Sequence, residues 1–333
     1  MAEHRIVVPA VGGSSPLIHP IFLSMKTTDN DLYLGFDIGA SSVKWGYGNC
    51  QQGLLCFESV IISDRSLSGL QNIFTKIINK VDSKIGVNNI KGIGIGTPGT
   101  IERESGKLLG VNPNLQFWTG LSPAILVDPK LNLPISYDND ANVMCLGEAS
   151  LLAEELDVVG ITIGSGIGSG YVRKGSVFHG GHGFAMELGH ITVVAGGELC
   201  NCGRKGCLEA YASIEGIKSR AMRHLHYDDA LAWNLQDILS RARDDQHLQG
   251  YIREGERLLG KSLANLCLIL DPDVILLGGG GTEGGLYSTQ RLDAILSEYL
   301  PGINRARTSL RSATLGNQAG VLGAIVLAER KIV

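Results

Sequence analysis

Residues 189–211, GHITVVAGGELCNCGRKGCLEAY, hold one His and three Cys in a short stretch. His190, Cys200, Cys202 and Cys207 offer an imidazole and three thiolates, a complete tetrahedral set for Zn2+. Four protein ligands leave no position open for an activated water, so such a zinc holds structure and does no chemistry itself. It acts indirectly, by fixing the loop that carries Glu209 and the His190 ring, whose outward nitrogen is left to meet a substrate. The preceding AMELGHI sets Glu187 three residues before His190, on one face of any helical turn.

A second cluster, YDNDANVMCLGEA (137–149), gathers Asp138, Asn139, Asp140 and Asn142 ahead of the apolar run Val143, Met144, Leu146. Capping a helix needs one such residue. The surplus is informative, because an Asp at a helix N-terminus is held as a carboxylate and can take a proton from a substrate hydroxyl. In FDIGASSVK, Asp37 stands beside a glycine turn whose amides can form an anion-binding concavity, and its carboxylate could orient Mg2+ through the metal's waters. An ordinary hairpin with a turn Asp is the plainer alternative. The glycine-rich GSGIGSG (164–170) has Ser at position 169 where a dinucleotide fingerprint needs Gly, and no G-x-x-x-x-G-K-[ST] phosphate loop occurs.

These residues need elements to hold them. LYLGFDIG and SSVKWGYGN read as a hairpin, and SLSGLQNIFTKIINKV carries Leu70, Ile73, Phe74, Ile77 and Ile78 at helical spacing. IKGIGIGTPG reads as a strand and tight turn. The same grammar returns in VGITIGSGIGSGYVRKG (159–175), which aligns Gly160, Ile163 and Gly164 with Gly35, Ile38 and Gly39. Two related α/β halves facing one cleft is the simplest reading. LANLCLILDPDVILLGGGG supplies a helix, a turn at Asp271 and Pro272, and a buried strand ending in Gly278–Gly281; the C-terminal GNQAGVLGAIVLAERKIV reads as a Gly/Ala-rich helix.

Composition narrows the function. The 333 residues are 44% apolar, enough for buried cores in roughly two domains, and a net charge of −4 gives no basic excess for nucleic acid. No apolar run is long enough to span a bilayer. Seven cysteines, with Cys50, Cys56, Cys145 and Cys267 scattered as buried thiols usually are, argue against a disulfide framework and fit a cytoplasmic protein. Residues 1–29 carry Pro9, Pro16 and Pro20 and are expected to form a poorly ordered extension, with Met25 as a second candidate initiator.

From about residue 32 onward the chain resembles the ROK family of sugar kinases, repressors and open reading frames, within the actin-like ATPase superfamily. DIGASSVK, NDAN and the cysteine-rich stretch carry the resemblance. It implies two actin-like (RNase H-like) α/β domains facing a cleft, with a structural zinc site. The expected division is 30–140, completed by a C-terminal helix 316–333, and 141–315. It further implies a cytoplasmic ATP- and Mg2+-dependent hexose kinase, a homodimer or homotetramer whose partners are sugar and ATP. Asp140 falls on the family's general base, and Asn139, Glu187, His190, Glu209 and Gly99 on its sugar ligands. Asp37, Gly39, Ser41, Lys44, Gly164, Ser165, Gly166, Gly279 and Gly280 fall on its ATP and Mg2+ site, and His190, Cys200, Cys202 and Cys207 on its zinc. Ala40 and Ser41 depart from the Gly and Thr usual in the phosphate motif. Residues 1–29 are too few and too broken by proline for the repressors' winged helix-turn-helix. Glucose is the favoured acceptor; N-acetylmannosamine, N-acetylglucosamine, allose and fructose are alternatives, as is a non-catalytic sugar sensor.

Overall fold

The computed structural model describes residues 31–110 and 115–330. The expected N-terminal extension with Met25, part of the loop GVNPNLQFWTG and the last residues of the expected C-terminal helix lie outside the described residues.

The first half runs β1 (Leu32–Ile38), β2 (Ser42–Asn49), β3 (Gly53–Ile61), α1 (Leu67–Ile85) and β4 (Ile90–Thr97). A short ribbon of β5 (Thr100–Ile101) and β6 (Leu108–Leu109) follows, then β7 (Ile135–Asn139) and α2 (Asp140–Ala149). The second half begins with β8 (Asp157–Ile163), β9 (Ile167–Arg173) and β10 (Ser176–Val177). Next come α3 (Glu209–Ala212), α4 (Ile214–Leu225), α5 (Leu235–Arg241), α6 (Gln246–Leu270) and β11 (Val274–Gly278). It closes with α7 (Gly280–Glu283), α8 (Thr289–Tyr299), α9 (Gly302–Arg305), β12 (Ser309–Ser312) and α10 (Ala319–Arg330).

The two halves repeat one topology. The sheets are ordered β3-β2-β1-β4-β7 and β10-β9-β8-β11-β12. In each, a hairpin strand pair is antiparallel, its inner strand (β1 or β8) pairs in parallel with the next (β4 or β11), and that strand pairs in parallel with the last (β7 or β12). The strands β1 and β8 end at Ile38 and Ile163, and Gly35 and Gly160 face Gly46 and Gly170 in register, as the sequence repeat predicts. Buried apolar strands such as β1 and β11 are what a sheet covered on both faces requires.

Helix α1 starts where Ser66 Oγ accepts the Gly69 amide at 3.1 Å and stops at Gly86, whose φ of 78° ends the helical run. Its buried face, Leu70, Phe74, Ile77, Ile78 and Val81, lies on the first sheet, with the Phe74 ring stacked on Phe36. Each such side chain contributes about 1.5–3 kcal/mol by leaving water.

Between the sheets lie α10 and α2. Val321 and Ile325 of α10 pack against Tyr33 of the first sheet, while Leu322 and Val326 join Val143 and Leu146 of α2 in a core shared with Val158 and Leu276 of the second. The two helices cross at glycines: a Cβ on Gly323 would sit 1.7 Å from Val143 O, and one on Gly147 would sit 2.2 Å from Ala319 O. Only bare backbone allows this approach.

Strands β3, β7 and β12 and the first four turns of α6 were not expected from the sequence. In α6 Gly250, Gly255 and Gly260 lower helix propensity. Packing overrides it: a Cβ on Gly255 would lie 2.5 Å from Tyr211 O, and one on Gly260 2.5 Å from Ile295 Cγ2. Cys145 and Cys267 are buried as expected, whereas Cys50 and Cys56 are only half-buried, since both stand on or beside the outer strands of the first sheet.

Candidate active site

The end of β7 and the start of α2 deliver the acidic cluster to a cleft between the halves. Asn139 is the helix cap: its Oδ1 accepts the amides of Ala141 at 2.9 Å and Asn142 at 3.4 Å. Its Nδ2 donates to Gly99 O at 3.1 Å, so among the described residues one amide N–H of Asn139 has no partner and is available to a ligand. Gly99 has a φ of 107°, a turn conformation that glycine adopts freely and that aims its carbonyl at Asn139.

Asp138 is saturated. Its Oδ1 accepts from Asn139 N at 2.7 Å and from Asn142 Nδ2 at 3.0 Å, and its Oδ2 takes a short bond with His179 Nε2. His179 was absent from the sequence-derived set, because nothing in VFHGG marks it out. It belongs to a segment of the second half that reaches the first, where a Cβ on Gly183 would lie 2.4 Å from Ile101 O. His179, Gly183, Ala185, Met186 and Glu187 form one wall of the cleft and Asp138, Asn139 and Asp140 its floor.

Asp140 is half-buried there, ringed by protein yet open to water through the cleft. Desolvation, then the negative charge of Asp37, push its carboxyl up to about 7 against two backbone amides, with Glu187 adding a further upward push. Oδ1 accepts from Ala141 N at 2.9 Å; among the described residues Oδ2 accepts no hydrogen bond. Glu187 is exposed into the cleft, and the surrounding protein still raises its carboxyl, with His190 opposing and Glu209 reinforcing.

Asp37, the last but one residue of β1, is buried, with Lys44 Nζ at 3.2 Å from Oδ2. A Cβ on Gly320, at the start of α10, would lie 2.6 Å from Asp37 Cγ, so the helix start closes against the carboxylate. The hairpin turns are alike: Gly39 N donates to Ser42 O and Gly164 N to Gly166 O, both at 2.9 Å. Ala40, Ser41 and Ser165 are exposed at the turn tips. Gly279, with φ 86°, sits on the base of the second hairpin, where a Cβ would lie 2.6 Å from Ile163 O; Gly280 follows it at the start of α7.

The four side chains expected to hold zinc converge. Nδ1 of His190 lies 3.8 Å from Cys200 Sγ, Cys202 Sγ lies 3.7 Å from Cys207 Sγ, and all four donor atoms lie within 4.8 Å of one another. Zinc–sulfur bonds of about 2.3 Å in a tetrahedron put sulfurs about 3.8 Å apart, so the donors fit Zn2+. With Nδ1 turned to the thiols, Nε2 of His190 faces away. Glu209 lies beside this cluster: Oε2 accepts from Ile167 N at 2.9 Å and Oε1 lies 3.7 Å from Cys200 Sγ. It ties the cysteine loop to the second hairpin.

Over 312 residues the chain is 32% identical to a glucokinase of Halalkalibacterium halodurans, a match covering 87% of this chain and 93% of that one. It is 29% identical over 308 residues to the N-acetyl-D-glucosamine kinase of Aliivibrio fischeri, covering 89% and 99%. Its fold matches a ROK family glucokinase from Streptomyces griseus, solved in complex with glucose and AMPPNP, with a TM-score of 0.73 and 28% identity over 90% of this chain and 99% of that one. The ROK family profile matches residues 33–331, and the chain belongs to the ROK family.

Proposed function

We propose that the chain is a sugar kinase that transfers a phosphoryl group from ATP to the primary hydroxyl of a hexose, with glucose as acceptor. The observation that carries this reading is Asp140: a carboxyl on the cleft floor, relieved of most capping duty by Asn139, with a proton affinity poised near neutrality. A base so tuned accepts a hydroxyl proton at working pH, which is typically worth about 10²- to 10⁴-fold in rate.

The other residues take roles around it. Asn139, through its spare N–H, and Glu187 would hold sugar hydroxyls, and His190 would reach the sugar through Nε2. Glu209, fixed to Ile167 N, would position the second hairpin more than it would grip sugar. The turns at Gly39–Ser41 and Gly164–Gly166 offer backbone amides to phosphates, and the adenine would lie near Gly279 and Gly280. Asp37 is the carboxylate that would hold Mg2+, which when bound supplies neutralisation of the charge on the transferring phosphoryl. Lys44 balances Asp37 and can approach the phosphates. Zinc would be structural, and the halves would divide as 30–140 with the C-terminal helix, and 141–315.

A coupled ADP-release assay over glucose, mannose, fructose, allose, N-acetylglucosamine and N-acetylmannosamine tests the reading. The result expected is Mg2+-dependent turnover with glucose giving the highest kcat/KM. Turnover highest on an N-acetylhexosamine would move the acceptor, and none on any sugar would remove the activity.

A further inference from the structure

Among the described residues, five other than glycine have positive φ: Asn132, Lys174, Met186, His226 and Asp271. Four are where a left-handed residue is ordinary. Asn132, His226 and Asp271 end helices, and Lys174 turns between β9 and β10. Met186, at φ 67°, sits in a tight turn of the segment that leads into Glu187, where a glycine or asparagine would be the usual occupant. It is bulky, it sits on the cleft wall, and it immediately precedes Glu187. Such a conformation persists only where the surroundings impose it.

Ser169 braces the backbone at this point. Along β9, Gly168 and Gly170 turn toward α2, where a Cβ on either would lie within about 3 Å of Ala141 atoms. Strand alternation therefore sends Ser169 to the opposite face. There its hydroxyl, buried and 6% exposed, donates to Met186 O and accepts Leu188 N at 3.2 Å. One hydroxyl thus clasps the backbone on both sides of Glu187.

We propose that Ser169 is a positioning residue for sugar binding: by holding Met186 in its left-handed conformation it fixes the Glu187 carboxylate toward the cleft. This rests on the sugar-kinase reading, with Glu187 as an acceptor ligand. Met186 and Ser169 then form a dependent pair. Without the hydroxyl, Met186 relaxes toward negative φ and swings Glu187 off the wall; a glycine at 186 adopts φ 67° unaided and makes the clasp dispensable.

The test is a double-mutant cycle on the full chain, reading glucose KM, kcat and thermal midpoint for the parent, Ser169→Ala, Met186→Gly and the double variant. The expectation is that Ser169→Ala raises glucose KM by about tenfold or more with a smaller change in kcat; Met186→Gly, which removes a side chain from the cleft wall, has a KM of its own and is the reference for the double variant. The double variant should match Met186→Gly within about threefold. A Ser169→Ala enzyme with the parent's KM, or a double variant whose KM exceeds that of Met186→Gly by about tenfold, overturns the proposal. If Ser169→Ala alone does not fold, the double variant against Met186→Gly decides: equal KM supports the clasp, a tenfold gap overturns it. A parent inactive on every sugar would count against the kinase reading, whereas an active parent with indifferent variants would count against the clasp alone.

Discussion

Asn139 Oδ1 takes the amides of Ala141 and Asn142, and in doing so leaves Oδ2 of its neighbour Asp140 facing the cleft. Two adjacent residues divide two tasks that either could do. Asn139 caps, and Asp140 is held at the helix start where burial and Asp37 set its proton affinity.

That affinity makes a pH prediction. A base must be deprotonated, so with a carboxyl titrating at about 7, kcat/KM should fall by up to about tenfold per unit as pH drops below 7. A flat profile from pH 5 to 8 would contradict the assignment.

The same shift has a stability consequence of definite sign. The folded chain binds the Asp140 proton more tightly than the unfolded chain does, since its carboxyl is raised from 3.8 to about 7. Its favourable contribution is therefore complete below 3.8 and lost as pH rises through about 7. Asp140→Asn mimics the protonated form. Its melting temperature should exceed the parent's at pH 8, by about 1–2 °C for each kcal/mol relieved, and the gap should close toward pH 4. A gap that widens on acidification would refute this.

Stripping the metal gives a third outcome. About one zinc per chain should accompany the purified protein, and Cys202→Ser, at the exposed ligand, should lose it along with activity and several degrees of melting temperature. Full activity in protein shown by elemental analysis to be metal-free would exclude the site.

The crossing of α2 and α10 is tested by Gly323→Ala. Its new methyl would lie 1.7 Å from Val143 O, a backbone atom with no freedom to move aside, so overpacking of about 3 kcal/mol should lower the melting temperature by about 4 °C. Gly250→Ala is the control: an exposed helical site with no atom within 4 Å, where the same change should be neutral or mildly stabilising.

Much of this was legible in the sequence because it is local. The match of Gly35, Ile38 and Gly39 to Gly160, Ile163 and Gly164 foretold equivalent strands, and the spacing of His190 and the cysteines foretold their convergence. What was not legible depends on distant chain meeting. His179 matters because its loop crosses to Asp138, and Glu209 is drawn to Ile167 N by a hairpin that precedes it by 42 residues. Spacing alone put Glu187 and His190 on one face; the short helical turn after Glu187 separates their tasks, one toward the cleft and one toward the thiols. The left-handed Met186 has no signal of its own, since Met ordinarily avoids that conformation.

The most direct measurement is kcat for Asp140→Asn, taken with sugar affinity and melting temperature on the same preparation. Asn occupies the same volume and suits a helix start, so the fold should persist. General-base action predicts kcat lower by about 100-fold or more, sugar affinity within about threefold, and a melting temperature equal to or above the parent's at pH 8. A folded, sugar-binding Asp140→Asn variant with near-parental kcat would contradict the role assigned to Asp140 and, with it, the mechanism built on that carboxylate.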